Sequence, residues 1–204
     1  MTSLANRRSA ILLFSLPDCL HSHRTRLVIK EKEISAELHE IDLSNISEEI
    51  KFISPYDDFP TLVDRELVLQ NSRVIIEYLD ERFPHPPLLP VDPVQRAKFR
   101  LALDTIEHQW YPEFEKAYKN GKLDDQFIAN ISAYFLEIIP LITDGFFMSD
   151  DFGLVDCSLA PLLWRIKALG MDISENKKVI DDYSDRIFNK ESFQASLTET
   201  EKDM

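Results

Sequence analysis

Glycine is scarce in this 204-residue chain: four in all, at positions 121, 145, 153 and 170. Neither G-x-G-x-x-G nor G-x-x-x-x-G-K-[ST] can be written from them. That excludes, at motif level, the nucleotide sites that need a glycine-rich turn against a phosphate. H-E-x-x-H and G-x-S-x-G are absent too, and with them the zincin and α/β-hydrolase patterns. Cysteine is scarcer still, with only Cys19 and Cys157. Two cysteines make no disulfide scaffold and no C-x-x-C pair exists for zinc, so reduced thiols are expected. No apolar run approaches the ~18 residues of a membrane span. Residues 1–10 carry Arg7 and Arg8 but no apolar stretch long enough for a secretory signal. A cytoplasmic protein without membrane association is expected. Basic residues number 23 against 36 acidic ones, for a net charge of −13. Lys and Arg drive nucleic-acid binding by displacing counterions from phosphates. Strong direct binding to DNA or RNA is therefore not expected.

What is present divides at a cluster of prolines. Before it, Ser9 to Ser15 reads as a buried strand, Cys19 to Lys32 as a helix and Ala36 to Asp42 as a second strand. Ser47 caps a short helix with Glu48 and Glu49 in its first turn. Thr61 to Arg65 and Leu67 to Gln70 read as a hairpin. Ser72 opens a helix whose apolar face is Ile75, Tyr78, Leu79 and Phe83. Strand, helix, strand implies a parallel pair with a right-handed crossover, and the hairpin adds antiparallel strands. Pro84, Pro86, Pro87, Pro90 and Pro93 then fall within ten residues. Proline fixes φ and removes donors, so this stretch is extended and stiff. After it the pattern is helical. One long helix is expected from Pro93 to Lys119, with Phe99, Leu103, Ile106 and Trp110 on one stripe and Val94, Ala97 and Leu101 on another. A second spans Asp124 to Ile142. A third, Leu154 to Leu169, is apolar almost all round and should be buried, with Asp156 reaching back to its start. A last one covers Lys177 to Asn189, and the polar tail from Thr198 should fray. The expected domains are 1–83, a proline linker 84–92, and an all-helical 93–204.

A thioredoxin-like α/β half, a proline linker and an all-helical half resemble the glutathione-transferase fold. Phe59-Pro60-Thr61-Leu62 sits where that family has a cis-proline, Asn71-Ser72 where it has an acidic or amide residue and a serine, and Asp156 where it has a helix cap. Several stretches are similar to the stringent starvation protein A family. They are Ser22-His23 with Arg26-Leu27-Val28, the Pro60–Leu67 run PTLVDREL, and the Tyr78–Leu88 run YLDERFPHPPL. Asp156-Cys157, Leu159–Arg165 (LAPLLWR) and Ser192-Phe193 with Ala195–Glu199 also match. The most specific element is Phe83-Pro84-His85-Pro86-Pro87. That resemblance implies a dimeric transcription regulator, homodimer or heterodimer with a related protein. It would bind RNA polymerase holoenzyme, core and sigma factor, without transferase activity and without a cofactor. The implied contact surface is Pro84, His85, Pro86 and Pro87.

The residues themselves keep a second reading open. Pro84–Pro87 is either a partner surface, rigid before binding, or simply a stiff linker. Helix N-termini stabilise thiolates, and Cys19 with Arg24 has the spacing seen in omega-class transferases. A glutathione-dependent thiol transferase using Cys19 is thus the alternative function, although Leu20 stands where those enzymes have proline. Its glutathione-type site would comprise Cys19, Phe59, Pro60, Asn71 and Ser72. Pro60 is expected to be cis, a conformation X-Pro bonds reach for only ~0.5–1 kcal/mol. Ser72 would meet a glutathione carboxylate or, more simply, cap its helix. Ser15 and Ser22 read as helix-start caps. Asp18, His21 and His23 are not expected to hold a metal, because residues two apart on a helix face different ways.

Overall fold

The computed structural model describes residues 11–56, 58–119, 125–142, 145–171 and 177–204. Arg7, Arg8, Ser9 and Asp124 lie outside them. The chain forms two compact units, residues 1–86 with 195–203, and residues 87–194 with Met204.

In the first unit, β1 (Ile11–Ser15) is followed by α1 (Leu20–Glu31) and β2 (Ala36–Glu40). Next come α2 (Glu48–Ile53), β3 (Thr61–Asp64), β4 (Leu67–Leu69) and α3 (Ser72–Arg82). The sheet order is β2-β1-β3-β4, with β1 and β2 parallel and the hairpin strands antiparallel. This is the mixed sheet that the order of elements implies. β1 is buried at every residue, as a strand covered on both faces must be. Leu12 and Phe14 build the core of one face with Ile41, and Ile50 and Phe59 pack against them. The hairpin turns at Arg65, whose φ is 58°. Ser47 caps α2 as expected, accepting from Ile50 N at 3.4 Å.

The buried stripe of α3 is Ser72, Ile75, Ile76, Leu79 and Asp80, a correction to the face expected through Tyr78 and Phe83. Tyr78 is drawn to the flank because its hydroxyl donates to Asp64 Oδ2 at 2.7 Å. Phe83 lies past the helix end, with the Arg82 guanidinium 5.2 Å from its ring centre.

In the second unit, α4 (Pro93–Thr105) starts under the Asp92 carboxylate, which accepts from Gln95 N at 2.9 Å. The long helix expected to Lys119 is interrupted by a π turn, Ile106–Trp110, before α5 (Tyr111–Lys119). Pro112 has no N–H to give to the carbonyl four residues back, so the regular ladder cannot run through. The Phe99, Leu103, Ile106 and Trp110 stripe is buried, whereas Val94 and Leu101 are 64% and 69% exposed. α6 (Asp125–Ile138), α7 (Leu154–Ala168) and α8 (Lys177–Phe188) follow, and α9 (Glu191–Ser196) begins in this unit and ends in the first.

α7 is buried nearly all round. Asp156 at its start accepts from Gly153 N at 2.8 Å and Phe147 N at 2.9 Å. The Tyr183 hydroxyl also donates to it, at 2.6 Å. Gly153 fits here because a Cβ would meet Leu88 O at 2.9 Å. The backbones are that close because Leu154 N donates to Leu88 O.

The C-terminal tail does not fray. Thr198 caps α10 (Glu199–Lys202) in a capping box with Glu201. Glu201 is fully buried, with Oε2 2.7 Å from Arg26 Nη2 and Oε1 3.3 Å from His23 Nδ1. Arg26 Nε donates to Ser196 O at 2.9 Å, and Thr198 Oγ1 to Pro17 O at 2.9 Å. A polar tail docks here because α1 holds buried charge that needs a counter-charge.

Breaking a buried ion pair by removing one partner leaves the other charge uncompensated. Glu201→Ala is expected to lower the free energy of urea unfolding by about 3 kcal/mol or more. Burial raises the Asp156 carboxyl to about 6, against the hydrogen bonds that favour its charge. The folded value thus exceeds the unfolded one, so this group stabilises the fold at low pH. The contribution is complete below about pH 4 and is lost as pH rises through about 6. A carboxyl carbon resonance of Asp156 titrating near 6 checks it.

Candidate partner-contact surface and thiol site

Pro84, His85, Pro86 and Pro87 are all exposed, between half-buried Phe83 and buried Leu88. Two devices hold residues 83–86 in the first unit. Phe83 N closes the end of α3 on Leu79 O at 3.0 Å. Lys32, the residue after α1, donates from Nζ to Pro86 O at 2.5 Å and to Asp80 Oδ1 at 2.7 Å. The His85–Pro86 bond is cis, a feature that the sequence reading did not anticipate.

Cys19 occupies the N-cap position of α1, half-buried, and its side chain makes no capping bond. Its carbonyl accepts from His23 N at 2.9 Å. Cys157 is buried within α7. The Phe59–Pro60 bond is cis, as expected. Pro60 is buried and leads directly into β3.

Ser72 is not the cap of α3. Asn71 is: its Oδ1 accepts from Arg73 N at 2.9 Å and Val74 N at 3.1 Å. The Ser72 hydroxyl instead receives Arg24, from Nε at 3.1 Å and from Nη2, and lies 3.0 Å from His21 Nδ1. At this helix start Asn71 Oδ1 therefore engages Arg73 N and Val74 N, while the Ser72 hydroxyl accepts from Arg24.

Ser15 and Ser22 are not helix caps either. Ser22, inside α1, accepts from Leu16 N at 3.0 Å and so holds the loop after β1. Ser15 accepts from Arg26 Nη1 at 3.4 Å. Both hydroxyls are buried, where a local backbone donor or a cation outcompetes water. His21 faces Ser72 and His23 faces Glu201 and Ser196, so the two rings serve different partners.

Sequence reasoning missed Lys32, Asp80 and Glu201. A lysine after a helix or an acid in a polar tail reads as solvated surface. The available signal is Asp80, which shares the Ile76 side of α3 four residues on.

Iodoacetamide is expected to label one thiol per folded chain, at Cys19, and a second, at Cys157, only in guanidinium. Equal labelling of both in the folded protein would contradict the buried position of Cys157.

Residues 13–87 match the glutathione S-transferase N-terminal domain family. The chain is 46% identical over 200 residues to a stringent starvation protein A homolog of Pasteurella multocida, covering 97% of this chain and 94% of the relative. It is 36% identical over 171 residues to rat glutathione S-transferase omega-2, covering 79% of this chain and 67% of the relative. Among solved structures, glutathione transferase Omega 3C of Trametes versicolor superposes with a TM-score of 0.82 at 21% identity, over 96% of this chain and 88% of that one. A transferase-type first half, the helical second half and near-full-length identity to stringent starvation protein A homologs lead to one assignment: the chain belongs to the stringent starvation protein A family, on the glutathione-transferase fold.

Proposed function

We propose that this protein is a cytoplasmic transcription regulator of the stress response that docks on RNA polymerase holoenzyme, core and sigma factor together, through Pro84, His85, Pro86 and Pro87. The observation that carries this reading is the exposure of all four residues in a segment whose prolines fix φ. Such a surface has little conformational entropy left to lose on binding. The charge of −13 suits a protein partner with basic surface and disfavours direct grip on DNA. The outward stripe of α4, with Val94 and Leu101, supports a dimer. The occupied Ser72 hydroxyl and the capped start of α3 support a role without transferase chemistry.

A second reading draws on one observation, the half-buried Cys19 thiol at the first turn of α1. It makes the protein a glutathione-dependent thiol transferase. Retention on glutathione resin and thiol transfer abolished by Cys19→Ser would establish it.

The docking reading is tested with Pro84→Ala/His85→Ala, leaving Pro86 in place. Exposed changes stay within about 0.5 kcal/mol, so its melting temperature should barely move. Co-purification with holoenzyme should nevertheless fall sharply. An early-melting variant that still binds once folded would make the segment a linker instead. Sedimentation at micromolar concentration should give a dimer.

A further inference from the structure

We infer that Lys32 is a positioning residue of the Pro84–Pro86 part of the contact surface, holding it in its binding shape from beneath. The inference rests on the docking reading of that segment.

A segment with three prolines in four residues has few backbone N–H groups and cannot anchor itself by a ladder. Its carbonyls are the groups left. Among the described residues, the bond from Lys32 Nζ to Pro86 O is the only intramolecular hydrogen bond that reaches Pro84–Pro87. The donor is well suited to the task. The Lys32 side chain is fully buried, and Asp80, at 9% side-chain exposure, faces it at 2.7 Å. An ammonium offers three donors from one point. One goes to α3 through Asp80 and one to the proline segment, so a single cation ties the end of α1 to both. A charge-assisted bond inside the protein is stronger than a neutral one in water. The tie leaves Pro84, His85 and Pro86 facing outward while fixing the backbone beneath them. The surface is thus preorganised by a residue that never touches the partner.

The two members of the pair separate positioning from mere stability. Asp80→Asn keeps the lysine and its bond to Pro86 O. It should melt earlier yet bind holoenzyme within about twofold of wild type, because the surface shape is retained. Lys32→Met/Asp80→Asn leaves no unpaired charge but removes the tie, and should bind about tenfold or more weakly as the segment loses preorganisation. In a Pro84→Ala/His85→Ala background the same double change should add little, since its effect passes through that segment. Affinities are measured by surface capture of purified holoenzyme, on the monodisperse fraction of each variant. Near wild-type binding by folded Lys32→Met/Asp80→Asn overturns the inference. So does equal loss in Asp80→Asn, the variant available if the double change fails to fold. Wild-type binding by Pro84→Ala/His85→Ala refutes the docking reading itself, a result distinct from either.

Discussion

Helix α1 is buried on nearly every side, yet Ser22, His23, Arg24, Thr25 and Arg26 lie inside it and Lys32 follows at its end. Buried charge is tolerated only when paired and hydrogen-bonded, so each of these side chains demands a neighbour. The neighbours are the rest of the first unit. Ser22 holds the loop after β1, Arg24 takes Ser72 at the start of α3, and Arg26 recruits Glu201 from the C-terminal segment. Lys32 takes Asp80 and the proline segment. Remove the demand and little would hold the polar C-terminal residues or the Pro84–Pro86 stretch in place.

The same network bears on function. At the helix start where a transferase serine would greet glutathione, the hydroxyl is spent inside the protein on Arg24, with His21 close by. At the other end of α1, the Lys32 ammonium bonds Asp80 and the Pro86 carbonyl, beneath the proposed docking segment. One helix therefore supplies side chains both to the Ser72 helix start and to the proposed docking segment. This is consistent with the general observation that a fold does not fix its function.

The second unit relies on a different kind of pairing. α7 is apolar and central, and its start is fixed by one carboxylate, Asp156, that gathers Gly153 N, Phe147 N and the Tyr183 hydroxyl. Gly153, just before that helix, carries no side chain. It fits the close passage of the Leu88 carbonyl. The π turn before Pro112 is another local accommodation, where the helical run passes from α4 to α5 with a change of hydrogen-bond register.

The sequence by itself determined the mixed sheet, the cis Phe59–Pro60 turn, the Ser47 and Asp156 caps, the buried α7 and the exposed proline segment. The cis Phe59–Pro60 turn came from the family resemblance; the others follow from local rules: periodicity, capping chemistry and the fixed geometry of proline. It misjudged the α3 face, the unbroken long helix, the roles of Ser15, Ser22 and Ser72, and the fraying tail. In most of these a polar side chain chose a partner by spatial proximity. Arg26 and Glu201 are 175 residues apart, and Lys32 and Pro86 are 54 apart. No local pattern marks which charge will be buried or which distant group will meet it. Only the tertiary packing of α1 against α3 and the C-terminal segment decided that, because the strength of a charge pair is set by the water excluded around it.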